Sequence, residues 1–360
     1  MAQKTYVIPI FIPHSGCPFQ CIFCDQKQIS GTSRMPDIDE VKSTADAYLT
    51  TIPSTARNVM LAFYGGNFTG LPEKIQYDLL QSVNPYMESK RISAIRVSTR
   101  PDCIDCDNLL FLRKWGVTEI ELGIQSFDDT VLTESRRGYC SQTAIKASII
   151  IRNYGFTLGH QFMIGLPGDD WGALVKTAQI SARLKPDMIR IYPTLVIRDT
   201  ALADLKNFQP LDFKEACRRS AFLIDFFELI CVRILRVGLH PPQDESSIVA
   251  GPFHPAFRYM VYSYIWRDFF MSNFSKDFLS DIIDVTTSCE DFSYVVGYKA
   301  QNKQLFNQSC KIRPASWLVA GHIILRTSSG KSLTTNRYIY RADKCRQLTA
   351  RYTSSGDVDR

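Results

Sequence analysis

No stretch of this 360-residue chain approaches the roughly twenty consecutive apolar residues that a helix needs to cross a bilayer. A membrane-spanning helix is therefore not expected. The N-terminus, MAQKTYVIPIFIPHSG, has a short apolar run but no basic region before it and no small-residue cleavage site after it. A secretory signal is not expected either, and the expected compartment is the cytoplasm. Disulfides are rare there, so the eleven cysteines read as reduced thiols or metal ligands. Low-complexity segments and long repeats are also missing. What is present is ordinary for a globular protein: 45% apolar and 22% charged residues, enough to bury a sizeable core. The length suits one large α/β domain or two smaller ones.

Charge is unevenly placed. Residues 292–360 carry twelve Lys+Arg against three Asp+Glu, a balance of +9, which leaves −3 for the other 291 residues. A basic segment on a neutral-to-acidic body suggests a polyanionic partner, with a solvated basic face as the competing reading.

Six short apolar runs punctuate the first two hundred residues: 6–12, 59–66, 94–99, 119–126, 158–167 and 188–197. Near-continuous apolar runs of strand length are expected of parallel strands buried on both faces. Helix-period segments such as EKIQYDLLQSVNPYM and SQTAIKASIIIRNYG lie between them, the signature of repeated βαβ units. Six units are too few for a complete eight-unit barrel, so a partial barrel or an open sheet is implied. Polar or glycine-containing sequence follows almost every run, at the strand ends where parallel α/β folds bind ligands.

Beyond residue 211 the pattern changes. FKEACRRSAFLIDFFELICVRILRVG reads as one long helical stretch, and an aromatic-rich segment follows it. SWLVAGHIILRTSSG and RYIYRADK suggest a small mixed element with a hairpin. Three regions are expected: 1–210 as the barrel, 211–290 as a helical extension, and 291–360 as a small basic α+β element with a frayed tail.

CPFQCIFC, directly after the first run, places Cys17, Cys21 and Cys24 within eight residues. Tetrahedral structural zinc needs four ligands, usually as two separated pairs, so the triplet is one short. A four-iron cluster on three cysteines leaves one iron open. In a structural centre that is a defect; in a reactive one it is a coordination position.

A C-x₃-C-x₂-C loop after a first strand, with an aromatic before the third cysteine, closely resembles the radical S-adenosylmethionine (SAM) enzymes. YGGNF, VSTRPD, ELGIQS, MIGLPGD and IRIYPTLVIRDTAL at later strand ends extend the likeness. It is nearest to the radical SAM half of the elongator-complex catalytic subunit and more distant from the oxygen-independent coproporphyrinogen oxidases. It covers roughly residues 6 to 270. The resemblance implies an α/β fold, a partial (β/α)6 TIM-like barrel with a small C-terminal α+β element. It implies a [4Fe-4S] cluster on Cys17, Cys21 and Cys24, with SAM on the open iron. Phe23 would lie against the adenine, and Gly65 and Gly66 would let backbone approach the methionine end. Asn67 stands where many relatives have glutamate, so only a neutral contact to the SAM ammonium is implied. Thr99, Arg100, Glu121, Gln125 and Arg137 would hold ribose and carboxylate, Gly165 would admit the adenine, and Tyr192 would line the substrate side. Competing structural roles are a salt-bridged acid for Glu121, a surface helix position for Arg137 and core packing for Tyr192. The implied chemistry is reductive cleavage of SAM by an electron from an external donor, giving a 5′-deoxyadenosyl radical that abstracts substrate hydrogen.

Other signals are weaker. Cys103 and Cys106 form a C-x-x-C pair that needs two more ligands to hold a metal, with Cys140 the nearest by topology. His14, His240 and His254 read as structural, although the last two lie in a Pro-rich region that also resembles the elongator-like branch. VVGYKAQNKQLF suggests a Gly297 turn feeding a basic helix, a weak RNA-contact signal because Ala300 replaces the second glycine of a Gly-x-x-Gly loop. Three functions compete: tRNA base modification, for instance of a uridine at C5, with tRNA meeting the basic segment; radical chemistry on a small molecule such as a tetrapyrrole; and a non-enzymatic iron-sulfur or zinc protein. The chain ends before any acetyltransferase-like domain, so acetyl-CoA is not expected as carbon source. No feature speaks to oligomeric state.

Overall fold

The computed structural model describes residues 5–13, 16–25, 34–239 and 244–353. His14 and His240 lie outside them, as does the polar tail expected to fray. The chain divides into two compact units, Met1–Pro210 with Leu239–Gly251, and Leu211–Gly238 with Pro252–Arg360.

In the first unit six strands alternate with helices: β1 (Tyr6–Ile12), α1 (Ile38–Thr51), β2 (Val59–Gly65), α2 (Glu73–Glu88), β3 (Ala94–Thr99), α3 (Cys106–Lys114), β4 (Val117–Gln125), α4 (Asp129–Glu134), α5 (Ser141–Asn153), β5 (Thr157–Ile164), α6 (Trp171–Leu184) and β6 (Met188–Pro193). Each strand pairs in parallel with the next, in the order β1 to β6. This is the expected partial (β/α)6 barrel. Its helix-facing positions, such as Ile120, Leu122 and Ile124 of β4 and Leu61 and Phe63 of β2, are completely buried. Each such side chain contributes about 1.5–3 kcal/mol. Aspartates start four of the helices: Asp37, Asp105, Asp128 and Asp170 each accept a backbone N–H of the first turn. Each cap stabilises its helix by about 1 kcal/mol.

The second unit contains α7 (Phe213–Leu229), α8 (Phe257–Asn273), α9 (Lys276–Asp281), β7 (Ile282–Ser288), α10 (Phe292–Val296), β8 (Lys311–Ala315), β9 (His322–Thr327), β10 (Ser332–Asn336) and α11 (Arg337–Thr353). The sheet order is β8-β7-β9-β10, parallel for the first pair and antiparallel for the others. Sequence and structure differ at four points. The long helical stretch ends at Leu229, because Cys231 turns left-handed (φ 60°) and Arg233–Val237 is a strand. The border expected at 290 does not separate two cores, since Trp266, Phe269 and Phe270 of α8 pack with Val285, Val295, Ile323 and Leu325. RYIYRADK opens α11 rather than a strand. The segment after Gly297 is two short 3-10 turns with Lys299 and Ala300 left-handed, not a basic helix. Among the described residues no helix is long and apolar enough to cross a membrane.

Candidate functional site

The cysteine loop leaves β1 through Gly16 at φ 76°, where a Cβ would lie 2.7 Å from the Asn67 carbonyl oxygen. Only glycine fits this close approach. Backbone bonds strap the loop in place: Ile22 N–H to the Ser135 carbonyl (3.3 Å), Leu202 N–H to that of Ile22 (2.8 Å), and Cys24 N–H to that of Cys21 (3.1 Å). Cys21 is buried, Cys17 and Cys24 are partly exposed, and none of the three is in a disulfide. Burial pushes the Cys17 thiol up to about 11, against the opposing pull of Arg100. Among the described residues no three His, Cys, Asp or Glu side chains converge on a single-ion site.

Two guanidiniums address Cys21. Arg137 Nη1 donates to its Sγ at 3.0 Å and Arg100 Nη1 at 3.6 Å. Arg137 also donates to the Gly123 carbonyl and to the Tyr139 hydroxyl (2.9 Å). Tyr139, Gly123 and Cys21 thus engage the Arg137 guanidinium from three sides. Arg100 is held by Asp102 through two bonds of 2.9 Å.

β4 ends irregularly. Its register with β5 shifts between Leu122 and Gln125, and Gln125 adopts φ 71°, a strained conformation for a non-glycine residue. The Gln125 side chain is buried, and among the described residues its Oε1 has no hydrogen-bond partner. A buried amide oxygen without a partner costs about 1–3 kcal/mol, so an acceptor held open at a strand end calls for a donor from outside the chain.

Other expected contacts are engaged by the protein itself. Asn67 is fully buried: its Nδ2 donates to the Gly16 carbonyl (2.6 Å) and Cys103 Sγ (3.0 Å), and its Oδ1 accepts from Thr99 Oγ1 (2.6 Å) and Arg100 N–H (3.1 Å). Asn67 and Thr99 therefore brace the loops after β2 and β3. Glu121 sits inside the barrel rather than at the strand end. It accepts from Arg190 (2.6 and 3.1 Å) and pairs with Arg96 (3.0 Å). Tyr64 bridges the two arginines, at 3.2 Å from Arg96 and 2.9 Å from Arg190. Burial works against the Arg190 charge, yet Tyr192 and Glu121 hold its proton affinity well above the usual value. Tyr192 is half-buried and accepts from Arg190 Nη1 at 3.4 Å. Arg96 and Arg190 were not singled out from the sequence, although a charge inside an apolar run marked each of them. Tyr139 also escaped notice.

Phe23 is half-buried between two apolar clusters, one containing Leu202 and the other Leu166. Gly65 (φ 99°) and Gly165 (φ 77°) take conformations that favour glycine. Gly66 donates its N–H to the Ile12 carbonyl (3.0 Å), and Gly165 donates to Asp169 (2.6 Å). Cys106 and Cys140 are exposed, and Cys103 is occupied with Asn67. His254 accepts the Ala256 N–H at 3.0 Å, a structural bond. Three thiols in one loop, with the open Gln125 acceptor across from it on β4, form a donor set that fits a cluster and a SAM molecule.

Known proteins fit this geometry. Residues 11–180 match the radical SAM superfamily model and residues 186–267 the radical SAM C-terminal domain model. An uncharacterized protein of Methanocaldococcus jannaschii is 25% identical over 69% of this chain and 80% of its own length. The tRNA uridine(34) acetyltransferase of the same organism is 31% identical over 35% of this chain, and the match spans 24% of that protein. The chain thus aligns with only about a quarter of that relative's length. Archaeal Elp3 from Methanocaldococcus infernus shares the fold with a TM-score of 0.58 at 20% identity, over 74% of this chain and 63% of the other. With the two models accounting between them for well over half of its length, the chain belongs to the radical SAM superfamily, enzymes that use a [4Fe-4S] cluster and S-adenosylmethionine.

Proposed function

We propose that this radical SAM enzyme modifies a base of tRNA, with a uridine as the favoured target and C5 as the reacting position. The observation that carries the reading is the 31% identity to a tRNA uridine(34) acetyltransferase. The +9 balance of residues 292–360 supports it. In this reading Cys17, Cys21 and Cys24 would hold the cluster, which would pass one electron from an external donor to SAM and so supply the reductive cleavage chemistry. Arg137 and Arg100 fix the cysteine loop against β3 and β4. Gln125 Oε1 accepts a donor of the bound SAM. Gly65, Gly66 and Gly165 shape the backbone around it, and Phe23 and Tyr192 flank the cofactor and the substrate. The Arg96–Glu121–Arg190 network fills the barrel interior and keeps water out beneath the reacting centre.

The test is anaerobic incubation of the cluster-loaded protein with SAM, dithionite and total tRNA, followed by nucleoside mass spectrometry. A new nucleoside with tRNA-dependent 5′-deoxyadenosine is expected. Unchanged nucleosides, with 5′-deoxyadenosine formed equally without tRNA, would replace this reading with a small-molecule substrate.

A further inference from the structure

The second unit holds a cavity of about 450 Å³ whose lining includes Arg258, Tyr262, Glu290, Tyr294, Arg337 and Tyr338. That volume falls in the usual range of small-ligand sites. Three tyrosines and two arginines share its wall with the carboxylates of Glu228, Glu290 and Asp291, and Asp291 is occupied by Trp266, Ser288 and the Gly321 N–H. Tyr262 and Tyr294 stack with centroids 4.9 Å apart and planes at 24°. The rings continue outward, from Tyr294 to Tyr259 (5.8 Å), Tyr298 (6.4 Å) and His254 (5.6 Å). Exposed Lys299 places Nζ 5.4 Å from the Tyr298 ring centre. A basic side chain thus closes a line of half-buried rings that starts in the cavity.

Arg337 is the second, independent observation. It is only 3% exposed, yet its Nε and Nη1 have no hydrogen-bond partner among the described residues. Its guanidinium lies 5.6 Å from the Tyr262 and Tyr338 ring centres, and only Nη2 reaches an acid, Glu228, at 3.3 Å. Glu228 also accepts from Arg341 (2.8 Å) and the Tyr262 hydroxyl (2.8 Å), while Arg341 serves Asp225 as well, so Arg337 supplies counter-charge to this acid pair through Nη2 and leaves Nε and Nη1 uncommitted. Among the described residues Arg258 makes only long contacts, to the Ile234 and Leu235 carbonyls at 3.5 and 3.3 Å, and its guanidinium lies 5.3 Å from the Tyr262 ring centre. Aromatic faces recognise a planar ring of any base, and partly idle guanidiniums recognise ring carbonyls and an anionic oxygen. A ring joined to a phosphate satisfies both in a space of this size.

We infer that this cavity binds one unstacked nucleotide, its base against Tyr294 and Tyr338, its phosphate on Arg258, and Arg337 donating to the base. Lys299 and the outer rings take the neighbouring nucleotide, which makes RNA the source; this last step rests on the tRNA reading above.

The wild-type chain is tested first, by photocrosslinking to tRNA containing 4-thiouridine, with and without competing UMP. Crosslinks should fall in residues 258–262, 294–299 or 337–338, and UMP should reduce them. Tyr294→Ala and Arg258→Gln, each checked for wild-type circular dichroism, should both weaken tRNA binding about tenfold. Tyr294→Ala should keep the salt slope, whereas Arg258→Gln should flatten it by about one unit, the share of one phosphate. If UMP labels this cavity and tRNA does not, the nucleotide site stands and RNA as its source falls. If tRNA is modified but crosslinks elsewhere only, the inference fails and the proposed function survives. No label from either probe overturns the inference outright.

Discussion

Arg137 Nη1 lies 3.0 Å from Cys21 Sγ, and the same guanidinium reaches Gly123 on β4. One buried cation therefore ties the cysteine loop to the strand that carries Gln125. The position read from the sequence as a cofactor contact, or else as a surface helix residue, is a tie at the centre of the site.

Arg137→Met should destabilise the cluster-free chain by about 2–3 kcal/mol, since it removes charge-assisted hydrogen bonds from buried acceptors. Urea unfolding measures this. A loss below about 0.5 kcal/mol would show that the loop is held by its backbone bonds alone.

Glu121→Gln separates the barrel network from the cofactor site. Arg96 and Arg190 would lose their shared counter-charge, which should cost about 3–5 kcal/mol in thermal or urea unfolding. SAM affinity of the folded, cluster-loaded variant should stay within about threefold of wild type, because both Glu121 oxygens already face arginines. Weakened SAM binding at unchanged stability would return Glu121 to the ribose contact implied by the family resemblance.

Gln125→Gly should do the reverse. Removing a side chain from a left-handed position relieves backbone strain of order 1 kcal/mol and deletes a partnerless buried acceptor. The cluster-free variant should be at least as stable as wild type, with SAM affinity reduced about tenfold by calorimetry. A less stable variant with unchanged affinity would make Gln125 a packing residue.

Acid sensitivity should come partly from His160. Its buried imidazole lies between Ser148 (3.1 Å) and Ser181 (2.8 Å), and burial, then Arg152, lowers it from 6.5 to about 3. Below pH 6.5 the unfolded chain takes up a proton that the folded chain refuses. Stability therefore falls as pH drops from 6.5 towards 3 and is level above 6.5. Between pH 7 and 5 the loss is about 2 kcal/mol. In the cluster-free protein, His160→Gln should flatten that segment of the profile. An unaltered profile would assign the acid sensitivity to other groups.

The barrel was legible because parallel strands buried on both faces leave nearly unbroken apolar runs; Ile120, Leu122 and Ile124 advertise β4 even with Glu119 before them and Glu121 among them. For Glu121 the sequence leaves a cofactor contact and a salt-bridged acid both open, and the ion pairs to Arg96 and Arg190 show the second. Its partners stand 25 residues before it and 69 after it, a separation that local pattern cannot bridge. The clue was an arginine inside the third and sixth runs. Asn67 was read for its missing charge, whereas its four hydrogen bonds depend on a fold that brings Gly16, Thr99 and Cys103 to one point. In the second unit, left-handed Cys231 and Lys299 ended helical readings that composition alone favoured. The cavity around Arg337 left no local signature, because α7, α8, α10 and α11 each supply part of its wall.

The most direct test of the central claim is the iron content and electron paramagnetic resonance spectrum of the anaerobically reconstituted chain. The wild type is compared with a variant carrying Cys17→Ala, Cys21→Ala and Cys24→Ala. The wild type should hold about four irons per chain and show a reduced-cluster signal that shifts when SAM is added, because three thiolates leave one iron open. The triple variant should lose both the iron and the signal. Equal iron in the two proteins, or a wild-type signal that ignores SAM, would contradict a SAM-binding cluster on this loop.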